Sequence, residues 1–160
     1  MANPFPFTAG QVLTAAQMNS IGEAWIAYTP SWTSGGTQPV LGNGSITGFY
    51  TQVNKIVIAR MFLVAGSTTT FGTGSYSFSF PVAAKAVANF GTILSEGLLY
   101  DSNIGNGYKM SVNYISGSGT TFRPQVYSNA SQAYQVLSST LPITLAVNDE
   151  VSLSFAYEAA

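Results

Sequence analysis

The side chains that could do chemistry in this chain of 160 residues are few, and most of them are carboxylates. The chain has six Asp/Glu and five Lys/Arg residues, but neither His nor Cys. It therefore lacks thiolate nucleophiles, thiolate zinc sites, disulfides and the most common general base. A carbohydrate-active enzyme would need two facing carboxylates, such as Glu96 and Asp101. A non-enzymatic binding or assembly protein, with no catalytic residue, metal or cofactor, is the stronger expectation.

Two acidic stretches invite comparison with functional motifs. The loop at 101–107 does not fit a calcium loop, since Val112 occupies the twelfth position, where a bidentate Glu is needed. We expect a hairpin loop there instead. Asp149 and Glu150 are adjacent, so in a strand their side chains would point to opposite faces. Asn148 followed by Asp149 is more typical of a turn that leads into the last strand.

The low charge of the chain excludes several classes of protein. Charged residues make up 7% of the chain, against about 25% in an ordinary soluble domain. A disordered chain is excluded because 46% of the residues are hydrophobic and the net charge is only −1. No apolar run is long enough for a transmembrane helix, and five scattered cations argue against phosphate binding. We expect no membrane insertion and no nucleic-acid partner.

Short runs of alternating residues predict strands along most of the chain after residue 44. Residues 45–53 and 56–65 flank Asn54, which tolerates the positive φ of a two-residue hairpin turn. The last strand alternates most clearly, with apolar residues at Val151, Leu153, Phe155 and Tyr157. Further strands are predicted at 74–80, 87–94, 98–100, 108–115, 121–127, 134–137 and 143–145. This pattern predicts an all-β fold, an antiparallel β-sandwich or jelly roll, with a short N-terminal α-helix and an extended arm.

The predicted strand at 56–65 is apolar on both faces, so each face needs a cover. One face carries Val57, Ala59, Met61 and Leu63. The other face carries Ile56, Ile58, Phe62 and Val64. The other strands place Ser, Thr and Asn where Lys and Glu would normally protect a monomer from pairing. We therefore expect an obligate homo-oligomer, with Ile56, Ile58, Phe62 and Val64 at the subunit interface.

The first 27 residues differ from the predicted β domain at 28–160. Prolines at positions 4 and 6 predict an extended arm. Thr14 and Gln17 fit a capping box, which predicts a helix of about three turns. Arm and helix are too short to form a core, so they either lie on another chain or fold back on their own domain. As an anchor, the segment would use its apolar residues Phe5, Phe7, Val12, Leu13, Met18, Ile21 and Trp25.

Three motifs in the first half of the chain resemble structural proteins of tailed bacteriophages. Residues 7–19 fit the segment F-x-x-G-x-V-L-T-A-A-x-x-N, which recurs in tail appendages. Residues 25–32 fit W-x-x-Y-T-P-x-W, and residues 42–50 fit G-N-G-x-x-x-G-x-Y, which a hairpin at 50–60 would follow. The resemblance covers residues 7–81. It implies a virion protein with a β-sandwich body, trimeric and attached through its N-terminal segment.

The resemblance leaves open which part of the virion the protein belongs to. A small tail appendage, such as a tail fibre or knob, is the first interpretation, and a capsid decoration or head-fibre protein is the alternative. The expected partners are copies of the chain, other virion proteins and a host surface glycan, and the sequence shows no signal peptide, so we expect assembly in the host cytoplasm. The aromatic residues near the later loops either belong to the core or a subunit interface, or are exposed and stack on sugars. In the second case, the expected glycan contacts are Tyr100, Tyr108, Tyr127 and Tyr134.

Overall fold

A computed structural model describes residues 10–12, 14–16, 24–88, 91, 93–128 and 133–160. The described residues form ten strands, and all strand pairs are antiparallel. The strands are β1 (Ile26–Tyr28), β2 (Trp32–Ser34), β3 (Ser45–Val53), β4 (Ile56–Val64), β5 (Tyr76–Ser79), β6 (Leu94–Asp101), β7 (Asn106–Tyr114), β8 (Thr121–Ser128), β9 (Ala133–Val136) and β10 (Glu150–Glu158). The all-β class expected from the sequence is confirmed.

Hydrogen bonding joins the ten strands into one curled sheet. The order is β1-β3-β4-β10-β6-β7-β8-β5-β2, and β9 pairs with the second half of β8. Phe122 on β8 and Phe155 on β10 are separated by two strands, yet their ring centroids lie 4.8 Å apart. Such a contact requires the sheet to bend over its own concave face. The result is a half-barrel with side chains packed inside it.

The concave face holds the hydrophobic core. On β4 and β10, every second residue is buried, as the period of a strand requires. Val57, Met61 and Leu153 are almost completely buried, and aromatic rings fill the centre. The central rings belong to Phe78, Phe80, Phe122, Phe155 and Tyr157. The opposite face of the same strands points outward.

Several predicted strands and turns are confirmed. The strand at 45–53 has the predicted bounds, and the next strand ends one residue earlier than predicted. Asn54 adopts a φ of 55° in the turn between them, as expected for a two-residue hairpin. Asn148 has a φ of 66° directly before β10, which confirms the turn predicted there. The loop at 101–107 connects β6 to β7 as a hairpin.

Other elements differ from the sequence-based expectation. β1 and β2 were not predicted, because three residues are too few to show a period. Residues 143–145 form no strand, and the strand expected at 87–94 begins only at Leu94. Of the expected helix, only residues 14–16 and 24–25 are among the described residues, and only Ala15 and Ala16 are helical. The described part of the chain therefore includes no complete helix.

Candidate functional site

The convex side of β4, β10 and β6 is the candidate functional site, and we call it the outer face. Strand alternation places four apolar residues of β4 there, because their neighbours Val57, Ala59, Met61 and Leu63 occupy the core. β6 adds alternate residues in the same way, and β10 adds small ones between the glutamates at its two ends. The outer face consists of Ile56, Ile58, Arg60, Phe62 and Val64, of Glu150, Ser152, Ser154, Ala156 and Glu158, and of Leu94, Glu96, Leu98 and Tyr100.

Large apolar side chains are exposed on the outer face. Ile56 retains 61% of its surface, Ile58 47% and Phe62 43%, while Val64 is half-buried. Leu94 and Leu98 on β6 are exposed as well. The residues predicted for a subunit interface therefore lie together on one exposed face. Isolated exposed apolar residues are common, but a contiguous group marks an interaction surface.

A groove follows β10 between the two apolar strands. Ser152 and Ser154 form its floor because their side chains are small, and Phe62 and Leu98 form its walls. Glu96 and Lys109 line the β6 side, and the open groove has a volume of about 490 Å³. The groove thus combines apolar walls with a hydroxyl-rich floor. Apolar walls and neutral hydroxyl groups favour the binding of a protein surface over the binding of a charged ligand.

Few charges border this groove. On β4, the guanidinium of Arg60 lies 4.8 Å from the ring centre of Trp25 and 5.3 Å from that of Phe49. Such cation–π contacts hold the cation over the two rings. Across the groove, Glu96 forms an ion pair with Lys109 at 3.7 Å, and both side chains are highly exposed. At the level of Ser154, the β4 side of the groove therefore carries Arg60, and the β6 side carries Glu96, whose charge Lys109 partly neutralises.

The four tyrosines expected to contact a glycan do not form one site. Tyr127 on β8 and Tyr134 on β9 are paired in register and exposed, with ring centroids 5.5 Å apart. Tyr100 lies on the outer face, at the end of β6. Tyr108 packs against the core. Of these four, only Tyr127 and Tyr134 form an exposed aromatic pair, at a different place from the groove.

The acidic pair considered for an enzyme is not brought together. Glu96 and Asp101 lie five positions apart on β6, which places their side chains on opposite faces. Glu96 is exposed, whereas Asp101 is buried and accepts a hydrogen bond from the backbone N–H of Asn103 at 3.0 Å. These two residues are therefore not a facing acid pair. Among the described residues, no group of three or more acids could hold a metal ion.

Asp149 is a buried carboxylate whose structural role the sequence did not reveal. Its Oδ1 accepts hydrogen bonds from the backbone N–H and the hydroxyl of Ser102, at 2.9 and 3.0 Å. Its Oδ2 accepts a hydrogen bond from the backbone N–H of Ala146 at 2.8 Å. The side chain thus ties the β6–β7 loop to the turn before β10. Because three donors bind this one carboxylate, its hydrogen-bonding capacity is used within the fold, which indicates a structural role.

The motifs at 25–32 and 42–50 meet in the fold. Tyr28 on β1 pairs with Gly48 on β3, and its ring occupies the space where a Cβ at position 48 would stand. The same ring contacts Tyr50 edge-on, with centroids 6.0 Å apart. Trp32 packs on the aromatic cluster through Tyr76 and Phe78. The motif residues therefore lie at both ends of the sheet order, in β1 and β3 at one end and in β2 at the other.

Burial perturbs several tyrosines of this aromatic core. It raises the pKa of Tyr76 to about 12, against the opposing effect of a hydrogen bond from the Ser139 side chain. The hydroxyl of Tyr76 donates a 2.6 Å hydrogen bond to the carbonyl of Phe71. Burial also raises the pKa of Tyr28 and of Tyr157 well above the ordinary value of 10. The hydroxyl of Tyr157 donates to the carbonyl of Val82 at 2.8 Å. The hydroxyl of Tyr28 has no hydrogen-bond partner among the described residues.

Of the predicted anchor residues, the structure describes Val12 and Trp25. Val12 is highly exposed, and Trp25 stacks on Arg60 at the edge of the outer face. The other predicted anchor residues, Phe5, Phe7, Leu13, Met18 and Ile21, lie outside the described residues. The link between the N-terminal segment and the outer face was not expected from the sequence. The sequence feature that could have indicated this link is Arg60, the single cation in the apolar strand at 56–65.

Comparison with known proteins adds no assignment. No family model matches the chain, and no curated protein or solved structure matches it. In the residues that the structure describes, we find no helix with the length and apolarity needed to cross a bilayer. The functional argument therefore depends on the surface of the half-barrel.

Proposed function

We propose that this protein is a structural protein of a tailed-bacteriophage virion, which assembles with copies of itself and attaches through its segment 1–27. The observation that carries the proposal is the outer face, where the apolar side chains of β4 and β6 remain exposed beside β10. An assembly protein needs such a surface, whereas an enzyme needs clustered catalytic groups. The motifs shared with phage tail proteins supply the virion context.

Within the virion, a small tail appendage is the first assignment. The exposed pair Tyr127 and Tyr134 favours it, because two adjacent rings offer a stacking surface for a sugar. A capsid decoration or head-fibre protein is the second candidate. This candidate is favoured because Tyr100 and Tyr108 lie away from the Tyr127–Tyr134 pair. The aromatic surface that could bind a receptor is therefore small. A decoration protein requires only assembly contacts.

The expected β-sandwich or jelly roll belongs to the same proposal. Contacts across the concave side support it, since Phe80 on the segment after β5 packs on Phe155 and Tyr157 of β10. In addition, Ala84 forms a bridge with Ala159, beyond the end of β10. Two facing layers of strands would bury these side chains between them. The trimer implied by the family resemblance is the corresponding expectation for the assembly.

Immunogold labelling of intact phage particles tests the virion assignment. We expect label on the particle, at the tail for the first assignment and at the head for the second. Label found only in the lysed host cell would contradict both. A variant lacking residues 1–12 should fold and self-associate but be missing from particles. Incorporation of this variant at the level of the full chain would contradict the anchor role.

A further inference from the structure

We infer that the partner of the outer face is a second copy of the same chain, related by a two-fold axis that runs along β10. This inference rests on the proposed self-assembly, but it names a two-fold contact in place of the trimer that the family resemblance implies. The two sheets would pack face to face, about 10 Å apart. A contact of this kind is self-complementary, so each residue pair across it occurs twice.

The strand register supplies the complementarity. β10 lies between β4 and β6, so each small residue of β10 is flanked by one residue of either strand. Ser152 lies between Phe62 and Leu98, and Ala156 lies between Ile58 and Leu94. A two-fold axis along β10 exchanges the two sides of the groove. Phe62 of one copy then faces Leu98 of the other, and Ile58 faces Leu94.

The charges select this axis. Ser154 is flanked by Arg60 on β4 and by Glu96 on β6. The axis along β10 places Arg60 of each copy opposite Glu96 of the other, which makes two favourable contacts. An in-plane axis across the strands at Ser154 would place Arg60 opposite Arg60 and Glu96 opposite Glu96. Like charges in a contact weaken binding, so the first arrangement is favoured.

The face is large enough for a weak dimer. Its three strands, at ~4.8 Å spacing and ~3.4 Å per residue, have a footprint of roughly 450 Å². A specific interface of standard size buries about 800 Å² per partner, and weak complexes lie below that size. Glu150 and Glu158, at the two ends of β10, would lie near the axis. Aligned sheets cross at about 30°, which separates these strand ends at the solvated rim.

Charge reversal tests the inference on the purified full-length chain. Light scattering coupled to gel filtration measures its mass, which should be twice the 16.8 kDa of one chain. Arg60→Glu and Glu96→Arg should each weaken association by roughly 100-fold, because like charges then meet twice. Mixing the two variants should restore a dimer, since each introduced side chain then faces an opposite charge on the other copy. The combined variant R60E/E96R should also dimerise.

The controls separate this contact from other effects. Thr140→Glu introduces a negative charge at an exposed position in the loop after β9, outside the outer face, and should leave the dimer intact. Circular dichroism checks that each variant folds, and the exposed Glu96 site remains informative if Arg60→Glu unfolds. A monomeric chain, a trimer, or a dimer that both reversals leave unchanged would overturn the inference. A dimer that is absent from phage particles would overturn only the proposed function.

Discussion

Two tyrosines of the aromatic core differ in whether the hydroxyl is hydrogen-bonded, and this difference gives the first prediction. The hydroxyl of Tyr76 donates to the carbonyl of Phe71, whereas that of Tyr28 is buried without a partner among the described residues. Tyr76→Phe should lower the free energy of unfolding by about 1 kcal/mol. Tyr28→Phe should leave it unchanged or raise it, because it removes an unsatisfied polar group. Urea denaturation measures both, and an equal loss in the two variants would contradict the argument.

Asp149 gives the second prediction at this scale. Asp149→Ala leaves both N–H donors, of Ser102 and Ala146, without their acceptor in a buried place. We expect the free energy of unfolding to fall by about 2–4 kcal/mol, more than for a single lost hydrogen bond. Glu150→Ala, the same change at the exposed neighbour, is the control and should have a small effect. Similar losses for the two variants in thermal or urea denaturation would argue against the proposed role of Asp149.

At the scale of the elements, the β3–β4 hairpin depends on its turn. Asn54 has a φ of 55°, a conformation that costs most residues with a Cβ about 1 kcal/mol or more. Asn54→Ala should therefore lower the midpoint of thermal unfolding, while Asn54→Gly should retain it or raise it. The same order of the variants should appear in urea denaturation. If Asn54→Ala leaves the midpoint of unfolding unchanged, the pairing of β3 with β4 alone fixes the hairpin.

The parts of the fold that the sequence predicts depend on local patterns, whereas the parts that it does not predict depend on contacts between residues far apart in the chain. Alternation predicted β10, and the turn residue Asn54 between two strand-like runs predicted β3 and β4. The period of two then placed Ile56, Ile58, Phe62 and Val64 on one face. The three residues of β1 or β2 are too few to show a period. Strand order is a long-range property, and no local signal placed β10 between β4 and β6. The opposition of Arg60 and Glu96 across Ser154 follows from that order, so sequence reasoning could not reach it.

For the whole molecule, the half-barrel separates two kinds of surface. The concave side is filled by aromatic rings, and strands β4, β10 and β6 present an apolar groove on the convex side. Since all ten described strands belong to one sheet, no second sheet covers that groove in the described residues. The low content of charge noted in the sequence is consistent with this arrangement, because subunits that cover each other need fewer charges at the contact.

The aromatic core also predicts how the whole molecule responds to alkaline pH. The pKa of Tyr76 is raised to about 12, and those of Tyr28 and Tyr157 are raised too, so the folded chain keeps protons that the unfolded chain releases near pH 10. A raised pKa contributes stability that is complete below pH 10 and is lost as pH rises towards the folded value. Each of these tyrosines should lower the free energy of unfolding by about 1.4 kcal/mol per pH unit in that window.

The expected outcome is cooperative unfolding above pH 10, when the combined loss approaches a typical stability of about 5–15 kcal/mol. The part of the tyrosinate absorbance that comes from the buried rings should then change at the same pH as circular dichroism, since these rings ionise only when the sheet opens. Tyr76→Phe should make the pH dependence in this range less steep, because one of the perturbed groups is removed. Ionisation of all nine tyrosines near pH 10, with the fold intact, would show that the core does not exclude water from these hydroxyls.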